Sequence, residues 1–122
     1  MKVIETTKAP GAIGPYSQGY ISNGFLFASG QIPVDPATGE IPEGIKAQAE
    51  QSCKNAGGLL EAAGLGYENV VKTTCFLADM ADFAAFNEVY AEYFTSKPAR
   101  SCVAAKELPK GVLCEIEIIA EV

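Results

Sequence analysis

The 122-residue chain contains no histidine and a single arginine, Arg100. The missing histidine removes the usual general base at neutral pH and the commonest metal ligand. Proton chemistry must therefore run on a carboxylate, a tyrosine, a thiol, a lysine or water. No run of about 18 apolar residues is present, which argues for a soluble globular protein and against a membrane one. The four cysteines, Cys53, Cys75, Cys102 and Cys114, form no Cys-x-x-Cys pair. With no histidine beside them they do not spell a zinc site, and they read as small buried hydrophobes. There is also no basic patch. The formal net charge is -6 and the basic residues are scattered, a composition that argues against a phosphate-backbone binder. Internal repeats, low-complexity tracts and linkers are absent, so the length predicts a single domain over residues 1–122. The N-terminus, Met1-Lys2-Val3-Ile4-Glu5, lacks the apolar stretch of a signal peptide, and the expected location is the cytoplasm.

What is present is concentrated around the lone arginine. Arg100 lies in Pro98-Ala99-Arg100-Ser101-Cys102-Val103, where a loop runs into an apolar strand. Its planar fork can grip a carboxylate through two parallel hydrogen bonds, a geometry that lysine cannot reproduce. The competing reading is a surface ion pair of marginal value. By the two-residue period, Cys102 and Ala104 share the face of Arg100.

The remaining pattern is local and regular. Strands are predicted over Lys2–Glu5, Ser17–Ile21 and Phe25–Ser29, the last two joined through Ser22-Asn23-Gly24, a strong hairpin signal. A helix is predicted from Gly44 to Ala63, with Ile45, Ala49, Cys53, Ala56, Leu59, Leu60 and Ala63 on one face. Gly57-Gly58 inside it predicts close packing against a strand, and Gly64 and Gly66 mark its end. Val70–Ala78 reads as a strand, and Asp79 or Asp82 as the cap of a second helix. The stripe Phe83, Phe86, Val89, Tyr90, Tyr93 and Phe94 on that helix reads as core.

Two strands close the chain, Arg100–Ala105 and Val112–Val122, with a turn at Pro109-Lys110-Gly111 between them. The last strand has one apolar face, Val112, Cys114, Ile116, Ile118, Ala120 and Val122, suited to covering helices. Its other face mixes Leu113 and Ile119 with Glu115, Glu117 and Glu121. Such a half-apolar face predicts cover by another subunit, in a symmetric oligomer with clefts between subunits. Consecutive strands would also let Arg100 and Glu115 sit on neighbouring strands facing the same way. They would then form a salt bridge, or act separately, the arginine on a substrate carboxylate and the glutamate on water or a proton.

Five strings add to this reading. Gly14-Pro15-Tyr16-Ser17-Gln18, Ser29-Gly30-Gln31-Ile32-Pro33, Phe86-Asn87-Glu88-Val89-Tyr90, Pro98-Ala99-Arg100-Ser101-Cys102-Val103 and Glu115-Ile116-Glu117 together resemble the RidA/YjgF family of reactive-intermediate (enamine/imine) deaminases. The resemblance runs in order through nearly the whole chain. It implies a chorismate-mutase-like α+β fold, a mixed sheet of about six strands with two helices on one face, assembled as a homotrimer with pockets between subunits. The implied reaction is hydrolysis of 2-imino acids or their enamine tautomers, such as 2-aminoacrylate, to 2-keto acids and ammonia, with no metal or organic cofactor.

By the same resemblance Arg100 binds the substrate carboxylate and Glu115 positions or activates water. Gly30 and Cys102 match positions that contact substrate or water through their backbones, Tyr16 closes the pocket, and Asn87 contributes nearby. The connector Thr95-Ser96-Lys97 departs from the pattern: it is short, and Lys97 stands before proline where relatives often carry an aromatic residue. Cys114 reads as core, and a nucleophilic role for the Cys102 thiol lacks an activating histidine. Two alternatives remain open, a ribonuclease or translation inhibitor, an activity also attributed to this family, and a non-catalytic trimer binding small carboxylates.

Overall fold

The computed structural model describes residues 1–122. Strands β1 (Lys2–Ile4), β2 (Gly19–Ser22) and β3 (Phe25–Ala28) precede helix α1 (Ile45–Ala62). Then follow β4 (Val70–Leu77), α2 (Phe83–Tyr93), β5 (Ala99–Ala104) and β6 (Cys114–Glu121). One six-stranded mixed sheet has the order β1-β2-β3-β6-β4-β5. Only β4 and β5 run parallel, because α2 carries the chain back across the sheet between them.

Each element follows from its residues. In the β2–β3 turn, Asn23 and Gly24 take φ of 51° and 82°, the paired positive values that fit a tight hairpin to the twist of its strands. At the end of α1 the Gly64 N–H donates to the Glu61 carbonyl and the Leu65 N–H to the Leu60 carbonyl. Gly64 holds a φ of 73° between them, as a Schellman cap requires. Asp79, not Asp82, supplies the side-chain cap of the turn leading into α2, accepting from the Ala81 N–H at 2.8 Å.

Both helices cover one face of the sheet. Beneath them lie Leu26, Cys75, Cys114, Ile116, Ile118 and Ala120, joined by Leu59, Leu60, Phe86 and Phe94 in one continuous core. Burying each of the larger side chains contributes about 1.5–3 kcal/mol. The apolar face of the last strand is buried as expected from Val112 to Ala120. Val122 is the exception, lying past the end of β6 with more than half its surface exposed.

Two expectations need correction. Gly57 and Gly58 do pack closely, but against no strand: a Cβ on Gly57 would overlap the Tyr67 hydroxyl, and one on Gly58 the Lys8 carbonyl. The helix is thus pressed against the N-terminal loop and the turn that follows it. Second, Arg100 and Glu115 are not on neighbouring strands and do not face the same way. Strand β4 lies between β5 and β6, and Arg100 is level with Thr73 and Ile118, whereas Glu115 is level with Phe76. Ile118 and Glu115 differ by an odd number of residues, so the two side chains project from opposite faces.

The face opposite the helices carries Phe27, Phe76, Val103 and Ile119 around Glu115, Glu117 and Lys72. Phe27 and Val103 are 46% and 49% exposed, an apolar surface that no part of this chain covers.

Candidate active site

Two groups of the sequence-predicted residues emerge, one at each side of the sheet. At the β5 edge, Arg100 projects toward α2, where its guanidinium lies over the Tyr90 ring at 4.7 Å from the centroid and near the Phe83 ring at 5.5 Å. Its Nη1 donates to Asn87 Oδ1 at 2.8 Å. Phe83, Asn87 and Tyr90 stand four and three residues apart, which places them on one helical stripe. The Tyr90 ring is itself fixed, stacked on Phe94 at 4.6 Å and hydrogen-bonded through its hydroxyl to Thr73 Oγ1 at 2.7 Å.

The ion pairs of the chain are Lys8–Glu61, Lys46–Glu88 and Lys54–Glu50. Arg100 therefore has no carboxylate partner, and the salt bridge to Glu115 does not form within one chain. Of its five N–H donors one is committed to a neutral amide, which leaves a full edge of the fork for an incoming anion. The cleft beside it, about 340 Å³, is lined by Asn87, Tyr90, Phe94, Thr95, Lys97 and Arg100, with Ala91 and Pro98. Cys102 lies two residues along the same face, half-buried; desolvation pushes its thiol pKa up while the Arg100 charge pulls it down. The net rise leaves the thiol protonated, a poor nucleophile.

The second group gathers on the far face. Glu115 is half-buried, and burial together with the nearby charge of Glu117 raises its pKa above the ordinary carboxylate value. Its side chain crosses Gly30 so closely that a Cβ at that position would overlap the carboxylate. Gly30 is held there because the next residue, Gln31, exchanges backbone hydrogen bonds with Ile116 at 2.7 and 3.1 Å. Asn55, fully buried on α1, donates to the carbonyls of Ile32 and Val34 and pins the following loop. Tyr16 lies nearby on the loop before β2, exposed, and lines a cleft of about 230 Å³ together with Gly30 and Gln31. Buried Gln18 anchors that loop by donating to the carbonyls of Thr6, Ala9 and Pro10.

The structure thus brings Arg100, Asn87 and Cys102 together, and separately Glu115, Gly30 and Tyr16. Reading the α2 stripe as core alone missed the part that Tyr90 and Phe83 play beneath the arginine, with Thr73 of β4 holding the Tyr90 hydroxyl. The signal was available in the spacing of Phe83, Asn87 and Tyr90 along one helical face. No group of histidine, cysteine, aspartate or glutamate side chains is arranged to hold a metal ion, and no helix is long and apolar enough to cross a membrane.

Fold and site define a two-layer α+β protein with an uncompensated arginine at one sheet edge and a half-buried carboxylate on the face opposite the helices. The chain belongs to the Endoribonuclease L-PSP family, which matches residues 6–122 and includes the RidA/YjgF proteins its sequence strings resemble. A RutC family protein of Synechocystis is 53% identical over 124 residues, covering 98% of this chain and 95% of its own. The 2-iminobutanoate/2-iminopropanoate deaminase of Escherichia coli is 50% identical over 123 residues, covering 98% of this chain and 96% of its own. Among solved structures, Escherichia coli TdcF with bound serine superposes with a TM-score of 0.97 at 48% identity, covering 100% of this chain and 99% of that one. The YjgF gene product of Escherichia coli superposes at 0.96 with 49% identity, over 99% and 98%.

Proposed function

We propose that the protein hydrolyses 2-imino acids and their enamine tautomers to 2-keto acids and ammonium. The observation that carries this reading is the free fork of Arg100, held flat by Tyr90 and Asn87 in a cleft without a carboxylate of its own. The deaminase name borne by a relative at 50% identity and the serine bound to TdcF point to the same class of small amino-acid-derived ligand.

The reaction asks little of a protein. Attack of water on R–C(=NH2+)–COO− forms the C–O bond and expels the nitrogen, so that R–C(=O)–COO− and NH4+ result. The iminium carbon is already electrophilic, and holding the carboxylate beside a placed water shortens the search for the reactive arrangement. Arg100 binds the carboxylate by two charge-assisted hydrogen bonds. Glu115, with its raised pKa, accepts a proton from water and returns it to the departing nitrogen. Gly30 and Cys102 offer backbone groups, Tyr16 closes the cleft, and Asn87 orients the arginine.

Because Arg100 and Glu115 project from opposite faces of one chain, a complete site requires two copies. The uncovered apolar face around Phe27, Phe76, Val103 and Ile119 supplies the surface on which a second copy packs, and the assembly is a homotrimer with one pocket at each interface. Mixing Arg100→Ala chains with Glu115→Ala chains tests this arrangement and the chemistry together. Each variant alone should be inactive toward imine generated by an amino-acid dehydratase. After random reassembly about a quarter of the interfaces combine one intact arginine with one intact glutamate, so about a quarter of the activity should return. No acceleration by the unaltered protein would refute the deaminase reading. Inactive variants that regain nothing after mixing and reassembly would refute the shared site.

The ribonuclease reading draws on the family's Endoribonuclease name and on similar solved structures that share that name. The net charge of -6 and the scattered lysines offer no track for a phosphate backbone.

A further inference from the structure

We propose that the Arg100 cleft contains a second anion subsite at Lys97, and that the protein favours 2-imino dicarboxylates, imines whose side chain ends in another carboxylate. This inference rests on the deaminase reading and adds a substrate class to it.

Three observations converge on Lys97. The first is charge. Lys97 and Arg100 line the same cleft of about 340 Å³, whose remaining lining, including Asn87, Tyr90, Phe94 and Thr95, contains no carboxylate. In a chain with 15 acidic residues and nine basic ones, a cleft with two cations and no acid is a local reversal of sign. Neither cation belongs to any of the ion pairs of the chain.

The second is backbone conformation. Lys97 has φ of 54°, in the left-handed region that suits glycine and costs other residues energy. Its N–H donates to the Phe94 carbonyl at 3.2 Å, which holds the turn, while the following Pro98 favours extended backbone before it and so adds to the strain. Strain held by a non-glycine residue is frequent at ligand-binding positions. Glycine would relieve it and would forfeit the ammonium group at the cleft.

The third is the division of labour between the two cations. Arg100 gives one N–H to Asn87 and keeps a bidentate edge, enough for the 2-carboxylate and not for a second one. Lys97 is a point charge on a flexible stem, able to follow side chains that differ by a methylene. Between them the rings of Tyr90 and Phe94 offer an apolar floor for those methylenes.

The reaction is unchanged, with water adding to the iminium carbon and ammonium leaving, while the distal carboxylate takes no part in bond-making. Lys97 is a specificity residue and not a catalytic one. An exposed ion pair of this kind is worth up to about fivefold in affinity, and added salt weakens it.

The experiment compares imines formed in place by an amino-acid oxidase from alanine and from glutamate, and reads the ratio of the two accelerations. The unaltered protein should favour the dicarboxylic imine by about two- to fivefold, and Lys97→Arg should keep the preference. Lys97→Met should bring the ratio to about one, as should raising the salt from about 0.05 M to about 0.5 M. A ratio of one in the unaltered protein, or an unchanged ratio in Lys97→Met, overturns the subsite while leaving the deaminase reading intact. Acceleration of neither imine overturns the deaminase reading instead. The subsite is then decided by calorimetry with stable ligands, 2-oxoglutarate against 2-oxobutanoate. Tighter binding of the dicarboxylate that disappears in Lys97→Met supports it, and equal binding overturns it.

Discussion

Replacing Thr73 by valine should cost the fold about 1–3 kcal/mol, because the Tyr90 hydroxyl would be left without its partner inside the core. Thr73 is fully buried on β4, Tyr90 nearly so on α2, and their oxygens are 2.7 Å apart. Tyr90→Phe removes the other half of the pair and leaves Thr73 only the weak contact from the Cys75 thiol at 3.9 Å. Its expected cost is about 1 kcal/mol or more. The double variant removes both hydroxyls while keeping the shape of the core, so its cost should fall below the sum of the two by about 1–2 kcal/mol. Urea unfolding at one fixed protomer concentration measures all four proteins, and the fixed concentration keeps assembly from entering the comparison. Additivity within about 0.3 kcal/mol would refute the bond as a coupled pair. The same pair lies beneath Arg100, which adds a functional reading. Tyr90→Phe keeps a ring under the guanidinium and Tyr90→Leu does not, so KM for the imine should rise more in the leucine variant. Equal KM values would show that the ring does not orient the arginine.

Two further perturbations test separate parts of the structure. Gly58→Ala should destabilise by about 1–3 kcal/mol despite alanine's better helix propensity, since the new methyl meets the backbone carbonyl of Lys8; a raised Tm would disprove the close approach. Glu115 has a folded pKa above its ordinary value, so the folded chain prefers the protonated carboxyl and its ionisation opposes folding as pH rises through the folded value. Glu115→Gln should therefore melt higher than the unaltered protein at neutral pH and match it once both carboxyl forms are protonated in acid. A difference that persists unchanged in acid would assign the effect to something other than titration.

The sequence yields the elements most readily where the deciding interactions are short-range. Asn23-Gly24, the i+3/i+4 face of α1 and the alternation of β6 each determine local geometry within a few residues, and each appears within one or two residues of its expected place. The five strings extend this to the whole fold, which the superposition on YjgF bears out. Strand order is different in kind. Nothing local in Arg100–Ala105 or Val112–Val122 records that β4 separates them, and one misplaced strand turns a neighbouring pair into residues on opposite faces. The same limit explains Gly57-Gly58, where the need for space was visible but the partners, Tyr67 in the following turn and Lys8 in the N-terminal loop, were not. At Arg100 the residue type was informative, and its support was hidden because aromatic residues on a helix read first as core.

The three fully buried cysteines stand on different elements, Cys53 on α1, Cys75 on β4 and Cys114 on β6, and burial holds all three as thiols. None can meet an alkylating reagent until its own element opens. The chain therefore carries internal reporters of native-state breathing. Mass-resolved alkylation, followed over hours, would time the release of the helix layer separately from the parting of β4 from β6, with no label introduced.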